Sequence, residues 1–200
     1  MRCRSSGRFV GFASVALLLA LAGGCGGDGG VASADQARLA YVGLDLSIDK
    51  AIDLGLQGYR AASSAHIPDQ TGSGKVKGTL TVGGKVDQGA SNNKEMTLTV
   101  TMAEYTDSED PLLTYSTAAP VPALGLSLKK IPSGTLSGTF QGRLNLTGAL
   151  QGEVTLSLGM TGQLEPDPAD ASKPRRKPGT TRITGSASSP FGTYQVDVTR

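Results

Sequence analysis

Between residues 135 and 164 the parity of the residue number sorts the side chains. Leu136, Phe140, Leu144, Leu146, Leu150, Val154, Leu156, Leu158, Met160 and Leu164 are even, while Thr135, Ser137, Thr139, Gln141, Arg143, Asn145, Gln151, Glu153, Thr155 and Gln163 are odd. A period of two marks strands with one buried and one wet face. Holding one phase this long also constrains the turn. A two-residue hairpin loop switches the parity of the buried face, and a three-residue loop preserves it. Thr147-Gly148-Ala149 and Gln151-Gly152-Glu153 both meet that condition, with one long bent strand as the alternative. Gly138, Gly142, Gly148, Gly152 and Gly162 fall on the buried parity, where a missing side chain permits bending or close packing.

Other segments extend the pattern. Val76, Leu80, Val82 and Val86 share one face of a strand whose other face carries Lys75, Lys77, Thr79, Thr81, Lys85 and Asp87. After a turn cluster at 88–93, Met96, Leu98, Val100 and Met102 alternate with Thr97, Thr99 and Thr101. Both read as half-buried antiparallel strands. Residues 106–134 are less regular. Asp107, Glu109 and Asp110 form an acidic turn, Pro120, Pro122 and Pro132 interrupt any long central strand, and Leu124, Leu126 and Leu128 suit a short edge strand. Residues 165–179 read as a polar loop with four prolines, and its basic stretch is Lys173, Arg175, Arg176 and Lys177. A solvated loop is the plain reading, and contact with anionic lipid headgroups or phosphates is the functional one. Ile183 and Ala187, then Tyr194, Val196 and Val198, give a closing hairpin that turns at 188–192.

Residues 33–64 admit two readings. Ser33 and Gln36 fit a capping box, and Tyr41, Leu44, Ile48, Ile52, Leu56 and Tyr59 form a helical stripe. Alternating apolar residues from Val42 to Leu56 also fit a strand pair, and Gly43, Gly55 and Gly58 weaken a helix. Ala-rich flanks and few β-branched residues favour the helix. The expected fold is therefore mainly β: an antiparallel, curved or partly closed meander sheet of about 6–8 strands, with one N-terminal α-helix packed on it. It occupies a single β-rich domain over 35–200.

The first residues have a different character. A cationic stretch with Arg2, Arg4 and Arg8 precedes an uncharged apolar run from Phe9 to Leu21. That run is too short for a ~30 Å hydrocarbon core and has the length of a secretory signal. Ala22-Gly23-Gly24 follows, and then Cys25. This pattern resembles the lipobox of bacterial lipoproteins, with Ala22 where that family usually has Leu. The resemblance implies a signal peptide at 1–24, cleavage between Gly24 and Cys25, and lipidation of the Cys25 thiol and amine. Residues 25–34 would then be the lipidated Cys and a flexible tether, rich in Gly at 26–30. Two or more acyl chains hold a protein firmly on a bilayer without a spanning helix. Gly26 is not the Asp associated with inner-membrane retention, so the resemblance favours the outer membrane.

Cleavage would remove three arginines and no acid, taking the formal charge from +2 to −1. No electrostatic case for nucleic acid remains, and a chain without Trp offers little for base stacking. Cys3 would leave and Cys25 would be blocked, so no disulfide is expected.

Chemistry-bearing motifs are scarce. One His and two Cys argue against a His/Cys zinc site. His66 is the only imidazole, and no G-x-S-x-G elbow accompanies it. Gly24, Gly26 and Gly29 match G-x-G-x-x-G, but no strand precedes them. Gly78 to Lys85 fails the P-loop spacing, and Val86 stands where a hydroxyl would meet Mg²⁺. Asp107, Glu109 and Asp110 are clustered without the twelve-residue Ca²⁺ loop. Asp45, Asp49 and Asp53 would line one side of a helix, most simply as a solvated face. No catalytic residue, cofactor or metal is therefore assigned.

The expected function is that of a non-enzymatic cell-envelope lipoprotein whose β-rich domain binds or organises envelope components. Its expected partners are the membrane, through lipid on Cys25, and a hydrophobic ligand or envelope protein. The alternative is a periplasm-facing carrier that holds a lipid or other hydrophobic ligand in a half-barrel cavity, an outline that lipoprotein-sorting proteins share.

Overall fold

The computed structural model describes residues 30–87 and 89–200. The expected signal peptide, its cleavage at Gly24–Cys25, the lipidation site Cys25 and residues 26–29 lie outside that range.

Packing starts at once. Gly30 and Val31 are buried, so the part of the expected 25–34 tether that is described belongs to the folded body. Helix α1 (Ala34–Val42) begins at Ser33, whose hydroxyl accepts the Gln36 N–H at 3.2 Å, while the Gln36 side chain accepts the Ala32 N–H at 2.7 Å. Helix α2 (Asp45–Ala61) follows after Gly43 and Leu44. The expected helical segment is present, with a two-residue break at Gly43 and Leu44. Gly43 sits so close to Tyr115 that an added Cβ would lie 2.4 Å from its phenol oxygen, and the Tyr115 hydroxyl donates to the Ala40 carbonyl at 2.7 Å. The apolar stripe holds across the break, with Tyr41, Leu44, Ile48, Ile52 and Leu56 all buried.

Ten strands follow: β1 (His66–Ser73), β2 (Lys77–Asp87), β3 (Lys94–Thr106), β4 (Leu113–Thr117), β5 (Ala123–Lys129), β6 (Gly134–Gly148), β7 (Gly152–Asp167), β8 (Asp170–Arg176), β9 (Arg182–Ser189) and β10 (Gly192–Thr199). They form one antiparallel sheet that curls partly into a ring without closing into a barrel. Its path starts at β1 and ends at β10. Helix α2 packs on β1, β2 and β8, and α1 packs on β10 and β9. The helices thus lie against both edge strands, whose unpaired backbone would otherwise invite association.

The parity reasoning holds in the register. Leu144 opposes Val154 and Leu146 opposes Gly152, so partners share parity. Five residues, 147–151, lie between the last pair, so the loop is longer than the three residues expected and keeps the parity because its length is odd. The β9–β10 hairpin shows the opposite rule. Its two-residue turn, Pro190–Phe191, moves the buried set from odd Ile183 and Ala187 to even Val196 and Val198.

Several expectations need correction. Among the described residues there are ten strands, not 6–8. Strand β1 escaped notice because Pro68 and its polar residues hide it, and a register shift between Ile67 and Gln70 accommodates the proline. Strand β8 lies within the expected 165–179 loop and pairs Pro166 with Pro174, two residues that donate nothing to the ladder. Strand β5 is not an edge but pairs with both β3 and β6. It shares that slot end to end with β4, and the Pro-rich 118–122 segment joins them. Where the β3–β4 ladder thins to the Tyr105–Tyr115 pair, the hydroxyls of Thr117 and Ser116 accept the Met102 and Glu104 N–H groups. Val76 is 43% exposed, because a shift beside Gly78 (φ +73°) breaks the phase at the start of β2.

Candidate functional site

The acidic side of α2 is not a solvated face. Asp45 accepts the Tyr41 hydroxyl at 2.5 Å, Arg176 Nη1 at 2.8 Å and Arg200 Nε at 3.3 Å. Asp49 accepts Arg176 Nε at 2.9 Å and Nη2 at 2.7 Å, and Asp53 lies 3.0 Å from Lys173. The spacing of four that aligns the aspartates along the helix presents them to β8 and Arg200. Burial alone would raise the Asp45 pKa, but the hydrogen bonds and charge of Arg176 outweigh it and hold the carboxyl below its usual range. Burial, then the Asp45 charge, pushes the Tyr41 phenol up. Burial opposes the charge on Arg176, yet its bonds to Asp49 and Asp45 keep it firmly protonated.

The basic stretch is spent in the same way. Arg176 is buried, Lys173 faces Asp53, and Arg175 donates to Glu165 from Nε at 2.9 Å. These contacts attach β8 to the body of the protein and leave the anion-binding reading without three of its four cations. The acidic turn is divided too. Asp107 is buried, accepting Lys50 Nζ at 2.9 Å and the Lys75 N–H at 2.8 Å, while Glu109 and Asp110 are exposed. Burial opposes its charge, but the Lys50 contact holds the Asp107 carboxyl low. Among the described residues, no group of three or more His, Cys, Asp or Glu is placed to hold a metal ion. His66 is exposed at the start of β1, and its carbonyl accepts the Ser64 hydroxyl.

One polar feature escaped the sequence reading altogether. Lys94 is buried, and its ammonium donates to the carbonyls of Gly89 (3.0 Å), Asn93 (3.3 Å) and Ser91, 5.1 Å from the centre of the Tyr59 ring. Burial lowers its pKa. The cage ties the β2–β3 turn to the end of α2.

The wet face of the sheet offers a different surface. A trough of about 680 Å³ crosses β3, β5, β6, β7 and β9. The register lays two rows across it. One reads Thr97, Gly125, Thr139, Gly159, Thr184, and the other reads Glu95, Ser127, Ser137, Thr161, Arg182. The charged ends are already paired, Glu95 with Lys129 and Arg182 with Asp197 at 2.9 Å. Hydroxyls and glycine backbone make up the rest of the two rows. The two trough glycines differ from three of the inward ones. A Cβ on Gly138, Gly142 or Gly162 would approach Leu126, Pro122 or Thr181 to within 2.6 Å. At Gly159 nothing lies closer than 3.9 Å, and at Gly125 only the Thr139 hydroxyl approaches, at 3.3 Å. Packing therefore explains the inward set, while a side chain at Gly159 would simply occupy the trough. Glycine weakens a strand, and one within a strand can mark a place where another molecule comes close.

No family model, no curated protein and no solved structure matches this chain.

Proposed function

We propose that the protein is a non-enzymatic lipoprotein of the cell envelope, anchored through lipid on Cys25, whose β-rich domain binds or organises a polar envelope component through the outer trough. The observation that carries the anchoring is the order of the first 25 residues: cationic stretch, short apolar run, Ala22-Gly23-Gly24, Cys25. Among the described residues no helix is long and apolar enough to cross a membrane. A lipid anchor supplies attachment without one. The outer membrane is the favoured destination, because Gly26 follows the cysteine.

The division of the sheet supports a role on its outer face. Carriage of a hydrophobic ligand would need the inner face, which α1 and α2 fill with Tyr41, Leu44, Ile48 and Ile52, each 1% exposed or less. The scarcity of nucleophile-and-base sets favours binding over catalysis. The test is metabolic labelling with an alkyne fatty acid. The wild-type chain should take up label and the Cys25→Ser variant should take up none; equal labelling of the two would refute the anchor.

A further inference from the structure

We propose that one end of the sheet rests on the bilayer, with Phe191 and Leu112 at the boundary between headgroups and acyl chains. This deepens the anchored reading and depends on it. Gly30 enters the folded body beside Ser189 and the Glu153 carbonyl. The register gathers three connections at that end. The β6–β7 turn lies at 149–151, the β9–β10 turn is Pro190–Phe191, and Leu112 joins them because its carbonyl accepts the Ala149 N–H. Leu112 is 53% exposed and Phe191 52%, the two most exposed of the large apolar side chains there.

The length of chain between Cys25 and Gly30 identifies what covers them. Five residues span at most about 17 Å. Strand β6 alone, with 15 residues, runs roughly 45 Å from this end to the β5–β6 turn at the other. A lipid on Cys25 therefore holds the Phe191 end within a short reach of the membrane surface. Amphipathic placement of an exposed Phe and Leu at that depth removes apolar area from water. Glu109 and Asp110 flank Leu112 and are exposed, so the surface suits zwitterionic headgroups and is repelled by anionic ones.

The experiment uses the full chain, processed in cells and reconstituted into phosphatidylcholine–phosphatidylethanolamine vesicles that carry a lipid-borne quencher. A fluorophore is placed on Ala149→Cys, in the β6–β7 turn, or on Ser133→Cys, at the opposite end; both positions are exposed. Quenching should be at least fivefold stronger at 149 than at 133. Adding Phe191→Ser and Leu112→Ser should halve the quenching at 149 or better, with acyl incorporation unchanged. Equal quenching at the two ends, or no response to the double substitution, overturns this inference and leaves the anchor standing. A chain that takes up no acyl group on Cys25 overturns both.

Discussion

The two faces of this sheet are built from alternate residues of the same strands, yet they follow different rules. On β6, Phe140, Leu144 and Leu146 point inward and are 1% exposed or less, while Thr139, Gln141 and Arg143 point outward. The inner face is fixed by volume: large side chains meet two helices, and the inward Gly138, Gly142 and Gly162 stand where a neighbour leaves no room. The outer face is fixed by little more than strand geometry. Its glycines at 125 and 159 relieve no close packing against backbone, and its ion pairs are exposed. A face whose composition packing does not dictate is free to be shaped by what it meets, which is why the trough is the candidate binding surface.

Substitutions on adjacent residues sharpen this contrast. Phe140→Ala should cost about 3–5 kcal/mol in a urea titration, through lost burial and a residual cavity. Its neighbour Thr139→Val should fall within about 0.5 kcal/mol of wild type. Comparable losses at the two positions would mean that the faces are not distinct.

The charged contacts divide in the same way. Arg176→Met leaves the buried Asp45 and the half-buried Asp49 without their main partner, and removal of one member of a buried pair costs about 3–5 kcal/mol. Arg200 still faces Asp45, so the lower end of that range is expected, again by urea titration. Arg182→Gln, on the outer face, should leave the midpoint where it was.

Acid provides a third test. The Asp45 and Asp107 carboxyls are held below their usual range in the folded state, so each contributes stability that is present above the unfolded pKa of about 4 and is lost as pH falls through the folded value. The thermal midpoint should therefore drop below about pH 4, and Asp45→Asn should flatten part of that drop while lowering stability at neutral pH. The smallest effect is the most discriminating. Gly159→Val should stabilise the fold by up to about 1 kcal/mol, since the backbone there is ordinary and the added side chain meets open space. The same change should weaken binding of whatever occupies the trough. A loss of stability would show instead that packing requires this glycine.

Much of the sheet was legible because hairpins are local. The parity of 135–164 fixed which residues of β6 and β7 share a face and limited the loop between them. The helix break was not legible, because Gly43 answers to Tyr115, more than seventy residues away. Strand β8 was hidden by Pro174 and the prolines on either side of the strand, and with it the meaning of Asp45 and Asp49, whose partner Arg176 is distant in sequence and reads as part of a solvated loop. The Lys94 cage depends on three carbonyls, and no residue type announces a carbonyl. The trough was half visible: the Thr alternation of β3 and β6 is plain in the sequence, but the alignment of Gly125 and Gly159 between threonines needs the register.

The proposed anchor is Cys25. Intact-mass measurement of the protein extracted from cell membranes tests it directly. A mature chain that begins at Cys25 and carries the added mass of a diacylglyceryl group, with or without an N-acyl chain, is the predicted result. An unmodified Cys25, or a chain that retains residues 1–24, would contradict it.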